Sequence, residues 1–156
     1  MRIDLIAAGV KPPAWVKDGF AEYSKRVGGG FSLELTEVAP AKRAKSGNVA
    51  AYRADEWRRM QSHLMPDAHV VALDVGGQPW STEGFAQQLE NWQTRVGRAQ
   101  LLVGGPDGLD PECLASVNAR WSLSPLTFPH FLVRILVAEQ VYRAVSLLQN
   151  HPYHRA

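Results

Sequence analysis

The chain has 156 residues, 46% of them hydrophobic and 21% charged, with a formal net charge of +2. Those values fit one folded domain, residues 1–156, with a sizeable core, and they exclude a disordered chain. Cys113 is the single cysteine, which excludes an internal disulfide and a multi-cysteine metal site.

Strand-like and helix-like segments alternate along the chain. RIDLIAA (2–8) reads as a strand, and Asp4 together with the short apolar run excludes a signal peptide. A helix follows, with Val16, Phe20, Tyr23 and Val27 on one stripe. FSLELTEV (31–38) alternates apolar and polar residues, as a strand with one solvated face near a sheet edge would. The loop APAKRAKSGN carries Lys42, Arg43 and Lys45, a cluster suited either to phosphates or to solvent. It belongs to a basic half. Residues 1–60 hold eleven Lys/Arg against seven Asp/Glu, and residues 61–156 hold six against eight.

A second helix places Trp57, Met60 and Leu64 on one face. HVVALDV (69–75) and AQLLVG (99–104) are continuous apolar runs, expected of central strands covered on both sides. Between them, Phe85, Leu89, Trp92 and Val96 mark a third helix that Ser81 can cap. Asp110-Pro111-Glu112 is a helix start, and WSLS (121–124) is a candidate short strand. The last helix, about 129–149, is apolar nearly all round. Such a helix is either central to the monomer or packed by one face on another subunit, the second being favoured in so small a chain, and its interruption by Arg134, Glu139 and Arg143 makes it a poor membrane span. The expected class is α/β, a mostly parallel sheet with helices on both faces, in a cytoplasmic protein.

LLVGGPDGLDPE (101–112) puts two glycines at the end of a central strand. It is not a phosphate loop. No GxxxxGK[ST] exists, Pro106 removes a backbone donor, and Asp107 would repel an anion. A ligand pocket and a plain turn remain equal alternatives at this point.

ALDV, LLVGGPDGL, WSLSPLTFPHFLVRILVAEQVYRA and NHPYHRA, in this order and spacing, resemble the ribosomal RNA large-subunit methyltransferase H family of the SPOUT superfamily. The resemblance spans the chain, densest in the last sixty or so residues and loose in 28–65. It implies a carboxyl-terminal trefoil knot, against the general rule that chains do not knot, and a homodimer. It implies S-adenosylmethionine as methyl donor, no metal, and methylation at N3 of a pseudouridine of 23S rRNA in the assembled ribosome. No DNA or membrane partner is implied. Alternatives are a SPOUT enzyme acting on tRNA and a non-catalytic ribosome-binding module.

Carried over by motif, the donor would be held by Leu73, Gly104, Gly105 and the run Leu123, Ser124, Pro125, Leu126, Thr127 and Phe128. A side chain at either glycine is expected to push into the slot. His154, Tyr153, Arg134 and His130 are the catalytic candidates, with His154 first for proton handling because histidine titrates nearest neutral pH. Ordinary structural roles compete: an Arg143–Glu139 helix pair, and an Arg134 buried beside an acid. His63 and His69 fall outside the matching motifs and are expected to be structural.

Overall fold

A computed structural model describes residues 1–155, with His154 described through its backbone only. Five strands form one sheet in the order β2-β1-β4-β3-β5. They are β1 (Arg2–Ala8), β2 (Ser32–Val38), β3 (His69–Gln78), β4 (Arg98–Val103) and β5 (Ala119–Trp121). Every pairing is parallel, so all strands end at the same edge of the sheet. Alternating FSLELTEV is indeed an outer strand, whereas β1 and β4, buried along nearly their whole length, lie inside.

The period-2 geometry of β1 divides the core. Ile3, Leu5 and Ala7 face a cluster with Phe20, Phe85, Leu89, Val137, Val141 and Val145, whereas Ile6 and Ala8 face Trp57, Met60 and Cys113. Helices α1 (Ala14–Ser24), α3 (Thr82–Arg95) and α5 (His130–Leu148) therefore cover one face. Helices α2 (Val49–Gln61) and α4 (Pro111–Ser116) cover the other. Burying a Phe or Leu side chain contributes about 1.5–3 kcal/mol. Burial also pushes the Cys113 thiol up to about 12, which leaves it an inert core group.

Local signals set the helix starts. Ser81 Oγ accepts from Gly84 N, and Asp110 accepts from Glu112 N with Pro111 at the first helical position. Val27 and Leu64, although on the expected stripes, lie beyond the ends of α1 and α2 and pack against the clusters from the following turns.

Three expectations need adjusting. In WSLS only Trp121 is strand, because the pairing of β5 with β3 ends there. Strand β3 runs past Asp74 to Gln78, with a register break between Leu73 and Gln78 that bulges the intervening residues outward. The apolar surface of α5 is largely used within the chain, packed against α1 and α3; Leu132 and Leu136 remain half-buried. Its apolar character thus does not by itself require a second subunit.

Candidate active site

At the carboxyl ends of β3 and β4 a cleft of about 520 Å³ opens, the position where parallel α/β sheets place ligands. Three segments wall it: the bulge of β3, the glycine turn after β4, and the bend that leads from β5 into α5. Its size suits a nucleoside-sized molecule, and Leu73, Leu109, Phe128 and Val133 give it an apolar interior.

The structure brings Leu73, Gly104, Gly105, Leu123, Ser124, Leu126, Thr127, Phe128 and His130 onto this one cleft. Pro125 is exposed in the bend and does not line it. Ser124 is partly spent on its own loop, since its Oγ accepts the Leu126 N–H at 2.9 Å and its carbonyl accepts the Ser122 hydroxyl at 3.1 Å. Thr127 caps nothing, because the N-cap position of α5 is Pro129 and no side chain caps that end.

The glycines act differently from the sequence expectation. A Cβ on Gly104 would lie 2.6 Å from Gly108 C and 2.9 Å from Leu109 N. It would strike the returning strand of its own turn. A Cβ on Gly105 would point at Glu56 Oε1, 3.2 Å away, and at Ala8. Neither would push into the slot. Gly104 lets the turn close on itself, which shapes the wall indirectly.

That turn is braced from outside, which the sequence did not suggest. Arg43 donates from Nε and Nη2 to Asp107 Oδ2 at 3.1 and 2.7 Å, and Arg53 Nε donates to the Asp107 carbonyl at 2.6 Å. Buried Glu56 accepts from Ala41 N at 2.9 Å and from Arg43 Nη2 at 3.3 Å. Asp107, read from sequence only as a repellent of phosphate, is thus the anchor of the loop. Arg43 is likewise committed to this anchor within the Lys42–Lys45 cluster. The only advance signal was an arginine and an aspartate with no obvious local partners, too common a pattern to use.

His130 stands at the start of α5 with its ring against Phe131, centroids 4.4 Å apart. Burial, then the Arg134 charge, pull its pKa below the usual histidine value; Glu56 opposes them weakly. It is held as a neutral imidazole near pH 7, able to accept a proton. Asp74 also lines the cleft and accepts from Arg120 Nε at 3.1 Å.

Two other candidates stand away from the cleft within this chain. Arg134 is fully buried. Its Nη1 donates to Glu37 Oε2 at 2.7 Å and its Nη2 to the Gly9 carbonyl at 2.8 Å, tying α5 to the ends of β1 and β2. Tyr153, in a 3-10 turn over Pro152–His154, folds back on α5. Its hydroxyl bonds Glu139 Oε1 at 3.1 Å, with Arg143 4.9 Å from its ring and paired to the same Glu139 at 2.7 Å. Burial and Glu139 raise its pKa. Glu139 is nine residues beyond His130, about 13 Å along the helix, so this tail docks well away from its own cleft. The His154 side chain, the first candidate for proton handling, lies outside the described residues. His69 stacks on Trp92 at 4.8 Å, half-buried at the start of β3, and His63 uses its carbonyl to accept from Gln100. Among the described residues no group of three His, Cys, Asp or Glu is placed to hold a metal, and no helix is long and apolar enough to cross a membrane.

Solved structures share this architecture. A probable methyltransferase from Bordetella pertussis Tohama I superposes with a TM-score of 0.54 over 92% of this chain and 96% of its own, at 16% identity. A probable methylase family protein from Haemophilus influenzae Rd KW20 gives 0.57 over 99% of this chain and 70% of its own, at 14% identity. Sequence comparison is closer. Proteins named ribosomal RNA large subunit methyltransferase H from Alkalilimnicola ehrlichii and Nitrosococcus oceani are 54% and 49% identical over 156 residues, covering 100% of this chain and 100% and 99% of theirs. The family model Predicted SPOUT methyltransferase matches residues 1–154. Motifs, parallel fold and full-length identity agree, and the chain belongs to the ribosomal RNA large-subunit methyltransferase H family of SPOUT methyltransferases.

Proposed function

We propose that this protein transfers a methyl group from S-adenosylmethionine to N3 of a pseudouridine of large-subunit rRNA in the assembled ribosome, acting as a cytoplasmic homodimer with the SPOUT trefoil knot. The observation that carries the reading is the single cleft on which the glycine turn, the β3 bulge and the SPLTFPH bend meet. The names of the relatives support RNA of the large subunit as substrate.

The residues present fit the donor. An adenosyl group needs apolar walls and a few aimed backbone groups, which Leu73, Leu109, Phe128 and the turn at Gly104 offer. When bound, the donor supplies a methyl carbon already activated by its sulfonium. In the overall reaction the N3–H bond of the base is replaced by an N3–CH3 bond, and the proton must be taken up. His130, on the cleft wall and neutral near pH 7, can accept it. The bend at Ser124–Phe128 and the turn at Gly104 fix the direction of attack by confining the donor.

In the proposed dimer, the tail of each protomer completes the cleft of the other. Tyr153 packs against its own α5 far from its own cleft, and a second protomer removes that obstacle. His154 then joins His130 beside the target base, and Tyr153 orients it. Leu132 and Leu136, half-buried on α5, are the apolar side chains available to such a contact.

The test is transfer of labelled methyl to ribosomes that carry the pseudouridine without its methyl group. Incorporation at N3 is expected. Transfer to tRNA alone would move the substrate, and ribosome binding with no donor affinity would leave a non-catalytic module. In the same assay His154→Ala is expected to lower turnover far more than donor affinity; equal losses would assign the tail to building the pocket.

A further inference from the structure

A second concavity, of about 350 Å³, lies between α1 and the outer strand β2, and the reaction described above does not use it. Val16, Phe20 and Leu35 make an apolar floor, and Lys11, Lys17 and Glu37 stand around it. Glu37 already holds Arg134, the buried cation that also borders this cleft. Lys11 and Lys17 are exposed and have no ion pair among the described residues. Two positive charges over an apolar floor are therefore left uncompensated. The buried Arg134 Nε, with no hydrogen-bond partner, adds to the excess of donors.

The backbone here is specialised. Lys11 has φ 53°, the left-handed region that residues other than glycine rarely enter, just ahead of Pro12 and Pro13. Such a conformation fixes the direction in which the lysine leaves the chain. Close by in sequence, Trp15 exposes 59% of its surface at the start of α1.

Position links this cleft to the first. A Cβ on Gly9 would meet Arg134 Nη2 at 3.2 Å and His130 Nε2 at 3.4 Å, so both side chains converge on one point of backbone. His130 lines the donor cleft and Arg134 the second cleft. They are one helical turn apart, about 6 Å.

We propose that this second cleft binds the single-stranded RNA flanking the target nucleotide. A base lies on the Val16–Phe20–Leu35 floor, Lys11 and Lys17 hold backbone phosphates, and Trp15 stacks on a further base. The proposal rests on the methyltransferase reading and adds to it the surface that presents the loop. Cations around an apolar floor, with an exposed indole four residues on from Lys11, are the combination that holds single strands without base-specific contacts. A polyanion matches the charge better than a second copy of a chain whose own net charge is +2.

The experiment compares the full-length protein with the K11Q/K17Q double variant and with Trp15→Ala. Binding to ribosomes lacking the methyl group is measured across a salt series, beside S-adenosylmethionine affinity by calorimetry and oligomeric state by sedimentation. The double variant is expected to bind ribosomes at least tenfold more weakly, and its log K against log salt to flatten by about 1.4, two single-strand phosphate contacts. Trp15→Ala is expected to lose about fivefold to a hundredfold. Donor affinity and sedimentation stay at the native values. Unchanged ribosome affinity and salt slope would overturn the proposal, and a changed oligomeric state would give the cleft to a subunit contact instead. Failure of the native protein to methylate these ribosomes would bring down the enzymatic reading. The salt slopes would still decide whether this surface holds RNA.

Discussion

The two ends of the sheet handle buried polar groups in opposite ways. At the amino end, Asp4 on β1 sits 4% exposed, with Arg2 Nε at 2.6 Å and Arg98 at 3.8 Å. Gln100 on β4 donates to Asp4 at 3.1 Å and to the His63 carbonyl at 2.9 Å, while its Oε1 accepts from Met65 N at 2.9 Å. That network is closed. At the carboxyl end, three buried side-chain atoms lack a partner among the described residues: Glu56 Oε1, Trp121 Nε1 and Arg134 Nε. An unmade buried hydrogen bond costs about 1–3 kcal/mol. One end thus satisfies its buried polar groups within the chain, and the other leaves three of them unpaired near its clefts.

The comparison breaks most visibly at Gly104. Its Cβ would lie 2.6 Å from backbone that cannot swing aside, so Gly104→Val is expected to displace the turn and take S-adenosylmethionine binding below detection. Because the amino-end network is untouched, the far-ultraviolet spectrum and a cooperative unfolding transition should remain. Native donor affinity in this variant would show that the turn does not form the wall. Next in size is His130. His130→Asn should lower the methyl-transfer rate about a hundredfold. As the proposed proton acceptor His130 acts in its neutral form, and burial lowers its pKa. The rate should therefore be flat above pH 6.5 and fall only at lower pH. An acid limb centred above 6.5 would give the proton to another group.

These two residues also show what could be read from the sequence. The order of elements, the outer position of FSLELTEV and the Ser81 and Asp110 caps follow from local periodicity and side-chain chemistry, and local signals survive folding. The cleft-lining residues were legible through motif resemblance, because the loops that form the cleft carry the matching motifs. What stayed hidden depends on long-range pairing. Arg43 reaches Asp107 across 64 positions, and the acid beside which Arg134 was expected as one alternative to be buried is Glu37, 97 positions away. Nothing in spacing reveals such partners. The bulge in β3 was equally hidden, since LDVGGQ continues a strand pattern up to its glycines.

At the closed end a substitution should act on stability alone. Asp4→Ala removes the acceptor shared by Arg2, Arg98 and Gln100. A loss of about 1–3 kcal/mol is expected by urea unfolding, with donor affinity unchanged. A matching loss of donor affinity would mean that the two ends are not independent.

The smallest effect is expected where the open end is braced. The Arg43–Asp107 pair has geometry suited to a strong contact, yet the side chains are 32% and 24% exposed, and water weakens such pairs to about 0.2–1 kcal/mol. Arg43→Gln should therefore weaken donor binding by no more than about fivefold, through a looser glycine turn. Asp107→Asn should do the same, and the double variant should be little worse than either alone, because both remove one contact. Arg43 also touches Glu56 at 3.3 Å, so any excess of the arginine variant over the aspartate variant measures that second contact. Additive losses would mean that the brace is two separate interactions. A coupled loss would show that the cleft takes its shape from a loop more than sixty residues away in sequence.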